Sequence, residues 1–410
     1  MKKQKMITVG DFRIGEAERD AIMEVLESGR ISEGKKVKAF ESAWASFCGT
    51  KYCTATSSGT AALMLGLSAL KYQYNIRPEA KVITTPITYI ATSNAIVNVG
   101  LKPVYVDIDP QTFDITPENI LDYLEKVPDP ENHAIILPVH LMGFPAKMDK
   151  INEIAQRYSL ITFEDSAQAH GTVYNGKKTG AWSLLSDFSF YIAHNIQAGE
   201  MGAIVTDSLD IYTLTRKLKA NGRACECLTC IRNTGRCIGI ENYTGDDDFD
   251  PRFSHDMIGY NFKTMEFQAA LALSQLKKAD WIIERRRANV KYLNYHLAEF
   301  SDYLQLPIYS TEVSYLAYPI VIKKEIPRKE LRHELEKRGV ETRPLFGCIP
   351  TQQPAYKHLK NTYQNKLPHA DYIGKNGFYI GCHQYLEEED LMYIVSVFKE
   401  CFDTLLKKTY

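Results

Sequence analysis

An imidazole on a glycine-bounded turn, a carboxylate at a strand end, a Ser-Gly-Thr helix start and four crowded cysteines are the groups here that could do chemistry. The turn lies within Asp187-Phe-Ser-Phe-Tyr-Ile-Ala-His-Asn-Ile-Gln-Ala-Gly-Glu-Met-Gly-Ala-Ile-Val-Thr206. Residues 187–191 and 203–206 read as short buried strands, and the polar stretch between them displays His194. An unperturbed histidine titrates near ~6.5, so a neutral imidazole can accept a proton at pH 7. Ser57-Ser58-Gly59-Thr60 follows one strand and opens a helix. Unpaired N–H groups and the positive dipole end suit a phosphate there, although the same residues also make an ordinary cap. Tyr89, after the next strand, offers a ring face to a planar ligand or a side chain to the core. Asp165 lies in Glu164-Asp-Ser-Ala-Gln168-Ala-His170-Gly171, at the carboxyl end of a strand, where open α/β sheets bind ligands. A buried carboxylate needs a cation such as a protonated pyridine nitrogen. Read alone, Asp165 is a helix cap and His170 a structural histidine.

Cys225, Cys227, Cys230 and Cys237 fall within 13 residues, spaced C-x-C-x-x-C-x6-C. Four thiolates suit an iron–sulfur cluster or tetrahedral zinc. The two C-x2–4-C pairs usual for structural zinc are missing, which favours the cluster. Cys48, Cys53, Cys348, Cys382 and Cys401 are scattered and read as small buried apolar residues.

Strands and helices must place these groups. Tyr52–Thr56 and residues 82–84, 103–107, 134–138 and 160–164 are β-rich runs. Helical patterns cover 16–27, 36–47, 61–70, 91–97, 117–124, 148–158 and 208–219. This alternation predicts an α/β fold with a mostly parallel sheet flanked by helices. Long helical patterns at 264–278 and 281–300 mark a domain boundary. The expected division is a large domain, 1–278, carrying a cysteine insertion at 222–258, and a smaller C-terminal α/β domain, 279–410. Strands are expected in the latter near 315–323, 340–344 and 379–382, with a last helix from 387 to about 405.

Net charge is −1 with 24% charged residues, which gives no electrostatic case for nucleic acid or membrane. No apolar run has membrane length, and Met1-Lys-Lys-Gln-Lys precedes no signal-type segment, so the expected compartment is the cytosol. Disulfides are disfavoured there.

Taken together, Ser58-Gly59-Thr60, Thr88-Tyr89, the Glu164–Gly171 motif, Ser189-Phe-Tyr, Gly259-Tyr-Asn261 and Glu341-Thr-Arg343-Pro-Leu resemble the sugar aminotransferases of fold type I, the pyridoxal-phosphate family of DegT, DnrJ, EryC1 and StrS type. The resemblance implies that Asp165 pairs with the pyridine nitrogen, Tyr89 stacks on the ring and Gln168 bonds its hydroxyl. Ser58, Gly59, Thr60 and Ser189 would hold the phosphate. Asn261 would come from the other subunit of a homodimer with a shared site. Arg343 and Arg30, the latter in the Arg30–Gly34 loop, would lie near a nucleotide-sugar. The family usually carries lysine where this chain has His194, and imidazole cannot form a stable imine. That departure is similar to the nucleotide-sugar 3-dehydrases of the same family, in which a histidine replaces the lysine. It implies pyridoxamine phosphate held without a covalent bond, with His194 removing the C4′ proton and the C3 hydroxyl of a 4-keto-6-deoxy sugar leaving.

The cysteine segment resembles the insertion of the iron–sulfur sugar dehydrases, which implies electrons from a separate reductase. In that group one ligand comes from the strand-end motif. Here Ala167 occupies the position, so the ligands would be local. The expected function is C3 deoxygenation. Other readings are a glutamate-dependent, cluster-independent 3-dehydratase, a pyridoxal-phosphate aminotransferase with a displaced lysine, and a non-catalytic metal-binding regulator.

Overall fold

The computed structural model describes residues 6–225, 227, 235–245, 248–250, 253–324 and 326–406. Helices α1 (Glu16–Glu27) and α2 (Lys35–Cys48) lead into the alternating region. There β1 (Tyr52–Thr56), α3 (Gly59–Tyr74), β2 (Lys81–Thr84), α4 (Ala91–Asn98), β3 (Lys102–Tyr105), α5 (Pro117–Lys126), β4 (His133–Leu137), α6 (Met148–Arg157) and β5 (Ile161–Asp165) follow in turn. After the small hairpin β6 (Val173–Tyr174) and β7 (Lys177–Lys178) come β8 (Leu185–Ser189), β9 (Gly202–Thr206) and α7 (Leu209–Lys219).

Seven of these strands form one sheet in the order β1-β9-β8-β5-β4-β2-β3. Every neighbouring pair is parallel except those of β9, which runs antiparallel to β1 and β8. The reason is local: the chain passes from β8 to β9 through the His194 turn, without a crossover helix. Most residues of these strands are buried, as a sheet covered by helices requires. Because β1, β2, β5 and β8 point the same way, their carboxyl ends lie along one edge of the sheet. Ser57–Thr60, Tyr89, Asp165 and Ser189 all follow or end those strands.

Strand β8 ends at Ser189, two residues before the expected end. Phe190 N still donates to Met201 O and Ala198 N to Phe190 O, at 2.8 Å each, as the chain bends into the turn. Beneath the turn, Trp44 packs edge-on against Phe190 at 4.7 Å and Phe188 at 5.0 Å between ring centroids. Burial of such aromatics stabilises the platform by roughly 2–3 kcal/mol each.

The helix expected from 264 begins at Glu266, as α9 (Glu266–Leu276), after the short α8 (Ile238–Glu241). Glu266 also explains an uncapped helix start. Its carboxylate accepts the N–H groups of Gly34, Lys36 and Val37 at 2.8, 2.8 and 2.9 Å, which fixes the loop before α2.

The remaining chain carries α10 (Ala279–Leu297), β10 (Leu304–Gln305), β11 (Tyr318–Ile322), α11 (Arg328–Lys337), β12 (Thr342–Pro344), α12 (Ile349–Gln352), α13 (Lys360–Tyr363), α14 (Pro368–Asn376), β13 (Gly377–Ile380) and α15 (Glu388–Leu406). Its sheet, β10-β11-β13-β12, is antiparallel throughout. Among the described residues, no helix is long and apolar enough to cross a membrane.

Candidate active site

The start of α3 is a close-packed cradle. Ser58 is the N-cap, and its Oγ accepts from Ala61 N at 3.1 Å, so the capping role is realised. A Cβ at Gly59 would stand 2.5 Å from Ser189 Cβ, so only glycine lets the helix N-terminus approach β8 this closely. Thr60 and Ser189 are half-buried beside it. A Cβ at Gly202 would meet the Ser58 carbonyl oxygen at 2.2 Å. Gly202→Ala is therefore expected to force β9 away from the cradle and destabilise the fold by about 1–3 kcal/mol. Denaturant midpoints check this, and an unchanged midpoint would show that the contact relaxes freely. Asn261 is exposed, and its neighbour Phe262 accepts from Ser57 N at 2.9 Å, so that segment borders the cradle of its own chain.

Asp165 sits at the end of β5, 4% exposed. Its Oδ2 accepts from Thr92 Oγ1 at 2.8 Å and its Oδ1 from Ala167 N at 3.3 Å. Thr92 in turn bonds Thr88 Oγ1 at 2.9 Å, which ties Asp165 to the segment carrying Tyr89. Burial pushes the Asp165 carboxyl up. No lysine or arginine pairs with it among the described residues, so a cation from a ligand would suit it. Its neighbour Glu164 is settled differently. Ala146 N donates to His140 Nδ1 at 3.0 Å, which leaves the ring proton on Nε2 to donate to Glu164 Oε2 at 2.9 Å. Burial opposes the Glu164 charge, but that bond and the N–H groups of Gly180 and Ser183 outweigh it. Gln168 accepts from Met142 N at 2.9 Å through Oε1, which keeps its NH₂ for another partner. Tyr89 is 60% exposed, its ring 6.0 Å from Phe346.

His194 is half-buried on a tight turn in which its N–H donates to Tyr191 O at 2.8 Å. Next to it, Asn195 is anchored by a 2.7 Å bond from Nδ2 to Ser314 Oγ. The imidazole Nδ1 is enclosed without a hydrogen-bond partner. Its ring lies 6.0 Å from that of His170. Burial, with the Arg286 cation adding, pushes His194 down to about 3, so the ring is neutral at pH 7. His170 is buried against Trp44 and accepts from Ile196 N at 3.3 Å, as a structural histidine would.

The two arginines expected near a substrate are engaged locally. Arg30 donates to Glu33 O at 2.7 Å, and Arg343 pairs with Glu341 at 3.0 Å. The cysteine insertion has a pinned stem, with Ala224 N donating to Ser254 O at 2.9 Å and Arg223 bridged to His255. Cys225, Cys227 and Cys237 form no disulfide among the described residues, and Cys230 lies outside them. No three His, Cys, Asp or Glu side chains come together as a metal site among the described residues.

Sequence reasoning missed Thr92, His140 and Asp187. Only Asp187 carried a signal, an acidic residue inside a five-residue strand that is otherwise Leu, Ser and Phe.

The residues fit a pyridinium phosphate: an uncompensated buried carboxyl at one end, a glycine cradle at a helix start at the other, and an aromatic ring on the intervening edge. The fold is that of the fold type I pyridoxal-phosphate enzymes. With a TM-score of 0.83 it matches an E. coli GDP-4-keto-6-deoxy-D-mannose-3-dehydratase with bound hydrated PLP, 29% identical, covering 96% of this chain and 100% of that one. The chain belongs to the DegT/DnrJ/EryC1/StrS aminotransferase family, whose model matches residues 13–399. It is 32% identical to the dTDP-4-dehydro-2,6-dideoxy-D-glucose 3-dehydratase of Saccharopolyspora spinosa, over 94% of this chain and 84% of that protein. It is 30% identical to the GDP-perosamine synthase of Caulobacter vibrioides, over 95% and 96% respectively.

Proposed function

We propose that this protein is a nucleotide-sugar 3-dehydrase that removes the C3 hydroxyl of a nucleotide-linked 4-keto-6-deoxyhexose. One observation carries the reading: a neutral histidine, His194, stands on the turn that resembles the family's lysine loop. The buried lysines Lys217 and Lys219 do not substitute, since each pairs with carboxylates, Lys217 with Asp256 and Lys219 with Glu33 and Glu41. Pyridoxamine phosphate, when bound, would supply the amine that meets the sugar ketone and a ring that accepts electron density. Asp165 would hold the ring nitrogen, the Gln168 NH₂ the ring hydroxyl, and Tyr89 the ring face. Ser58, Gly59, Thr60 and Ser189 would hold the phosphate; Asn261, whose neighbour Phe262 borders the cradle of its own chain, is exposed and would reach the partner's site only if a homodimer brings the two cradles together. Arg30 and Arg343 would turn toward the nucleotide-sugar. His194 would take the C4′ proton on a ring nitrogen that is already neutral, so no prior deprotonation is needed. The dehydratases among the relatives support this reading, and the perosamine synthase supports the aminotransferase alternative.

The direct test is product analysis with a panel of nucleotide-linked 4-keto-6-deoxyhexoses, together with borohydride treatment of the loaded protein. The expected results are a 3-deoxy sugar and no pyridoxyl group on the polypeptide. An amino sugar, or a stable lysine adduct, would establish the aminotransferase instead, and absence of turnover with bound coenzyme would favour a regulator.

The spacing of Cys225, Cys227, Cys230 and Cys237 would suit one iron–sulfur cluster, and the resemblance to the iron–sulfur sugar dehydrases implies that a separate reductase would feed it. Four thiols within 13 residues would repel one another if ionised and without a metal. Anaerobically purified protein is expected to contain iron and labile sulfide. Stoichiometric zinc without sulfide, or turnover sustained by glutamate alone, would make the glutamate-dependent dehydratase the better account.

A further inference from the structure

Asp187 belongs to none of the roles above, yet it faces the same site. Asp165 and Asp187 are in register on the adjacent parallel strands β5 and β8. The face they share is fixed by their neighbours. A Cβ at Gly66 of α3 would touch Phe163 Cζ at 2.6 Å and Leu185 Cδ1 at 3.1 Å, and Gly59 of the same helix abuts Ser189. Side chains alternate along a strand, so Asp165 and Asp187, two residues from these, face α3 as well. Asp187 therefore stands between Asp165 and the Ser189–Gly59 cradle.

Its chemistry is unsatisfied. Asp187 is 0% exposed, and neither carboxyl oxygen has a hydrogen-bond partner. No cation among the described residues compensates it. Helix α3 carries no ionisable residue before Lys71, α4 carries none, and β9 is Gly-Ala-Ile-Val-Thr. From the β4 side, His140 acts on Asp165 but is already bonded to Glu164. Two carboxyls on one buried face without a cation cannot both ionise cheaply. Burial, then the Asp165 charge, push Asp187 well above the usual carboxylate range, while Asp165 accepts bonds that favour its charge. The proton thus belongs on Asp187.

We propose that Asp165 and Asp187 act as one carboxyl pair holding a single proton at neutral pH, with Asp187 the positioning residue that sets how Asp165 grips a cationic ring nitrogen. A neutral Asp187 adds no second charge beside Asp165 and leaves the negative charge of the pair on Asp165 for the ligand. The last part rests on the coenzyme reading above, whereas the shared proton does not.

The test separates the two. Infrared spectra of the coenzyme-free full chain are recorded across pH, and the band of a protonated carboxyl is followed in wild type and in Asp187→Asn. Buried Asp114 and half-buried Glu41 are also carboxyls with raised values, so the difference between the two proteins is read. The expected result at pH 7.5 is a wild-type band reduced by one carboxyl in the variant. An unchanged band, or no protonated carboxyl in wild type, overturns the pair. Asp165→Asn gives a second reading if the first variant folds poorly. Removing the like charge is expected to lower the Asp187 titration midpoint by at least about one pH unit, and an unmoved midpoint overturns the coupling. Pyridoxal phosphate binding, followed by fluorescence, then tests the role. Asn keeps a neutral side chain of the same shape, so Asp187→Asn is expected to bind within about threefold of wild type, and Asp187→Ala, which leaves a void beside Asp165, at least about tenfold more weakly. Equal affinities in all three overturn the positioning role. A wild-type protein with the band but no affinity for pyridoxal phosphate would overturn the coenzyme reading and leave the shared proton standing.

Discussion

His194→Asn is expected to slow solvent exchange at the coenzyme C4′ position by about 10²–10⁴, the usual cost of losing one positioned base. Asparagine keeps polarity and approximate size but cannot accept a proton. Coenzyme affinity should change little, because the cradle, Asp165 and Tyr89 all lie on other segments. The pH profile adds a second criterion. Burial and Arg286 push His194 down to about 3, so its basic form prevails throughout the neutral range. Protonation, and with it loss of exchange, sets in only as pH falls toward that value. The acid limb of C4′ exchange should therefore lie below about pH 5, away from the ~6.5 of a free imidazole. A limb near 6.5 that persists in His194→Asn would assign the base to another residue, as would a loss of less than tenfold.

Much of this site was legible because its parts are local. Strand β1 matches its expected bounds, Tyr52–Thr56, since an apolar β-rich run ends against a Ser-Ser-Gly cap. The His194 turn stood out because two buried runs flank a polar stretch with glycine. What eluded the sequence is mostly non-local. Thr92 reaches Asp165 across 73 positions, and Glu266 caps α2 across about 230, so no spacing rule connects them. Helix α11 was missed because Leu331 and Leu335 are its only buried residues, too thin an apolar stripe on Arg-Lys-Glu-Leu-Arg-His-Glu-Leu-Glu-Lys. Asp187 was visible as a residue but not as a problem. Its meaning depends on the register that sets it beside Asp165, and register is a tertiary fact.

Asp165→Asn should move coenzyme affinity and apoprotein stability in opposite directions. In the coenzyme-free chain the carboxyl is buried and, among the described residues, is bonded by Thr92 and Ala167 and paired with no cation. Its value in the folded state is raised above that in the unfolded chain. For such a group the favourable contribution is complete below about pH 4, the unfolded value, and is lost as pH rises through the folded value. Wild-type apoprotein thus carries a cost at neutral pH that asparagine removes. Urea midpoints of the variant should equal or exceed those of wild type, with the difference growing from pH 5 to pH 8. With pyridoxamine phosphate the order reverses. A pyridine nitrogen that loses a buried ionic partner costs about 3–5 kcal/mol, so the dissociation constant should rise by about 10²–10³ or more. Phosphate and ring contacts remain, so saturation is still reachable at high coenzyme concentration. If Asp165→Asn instead destabilises the apoprotein at pH 8 while binding coenzyme normally, Asp165 is a structural cap of the β5 end. The ring nitrogen must then be held by another group, with Asp187 the first to examine.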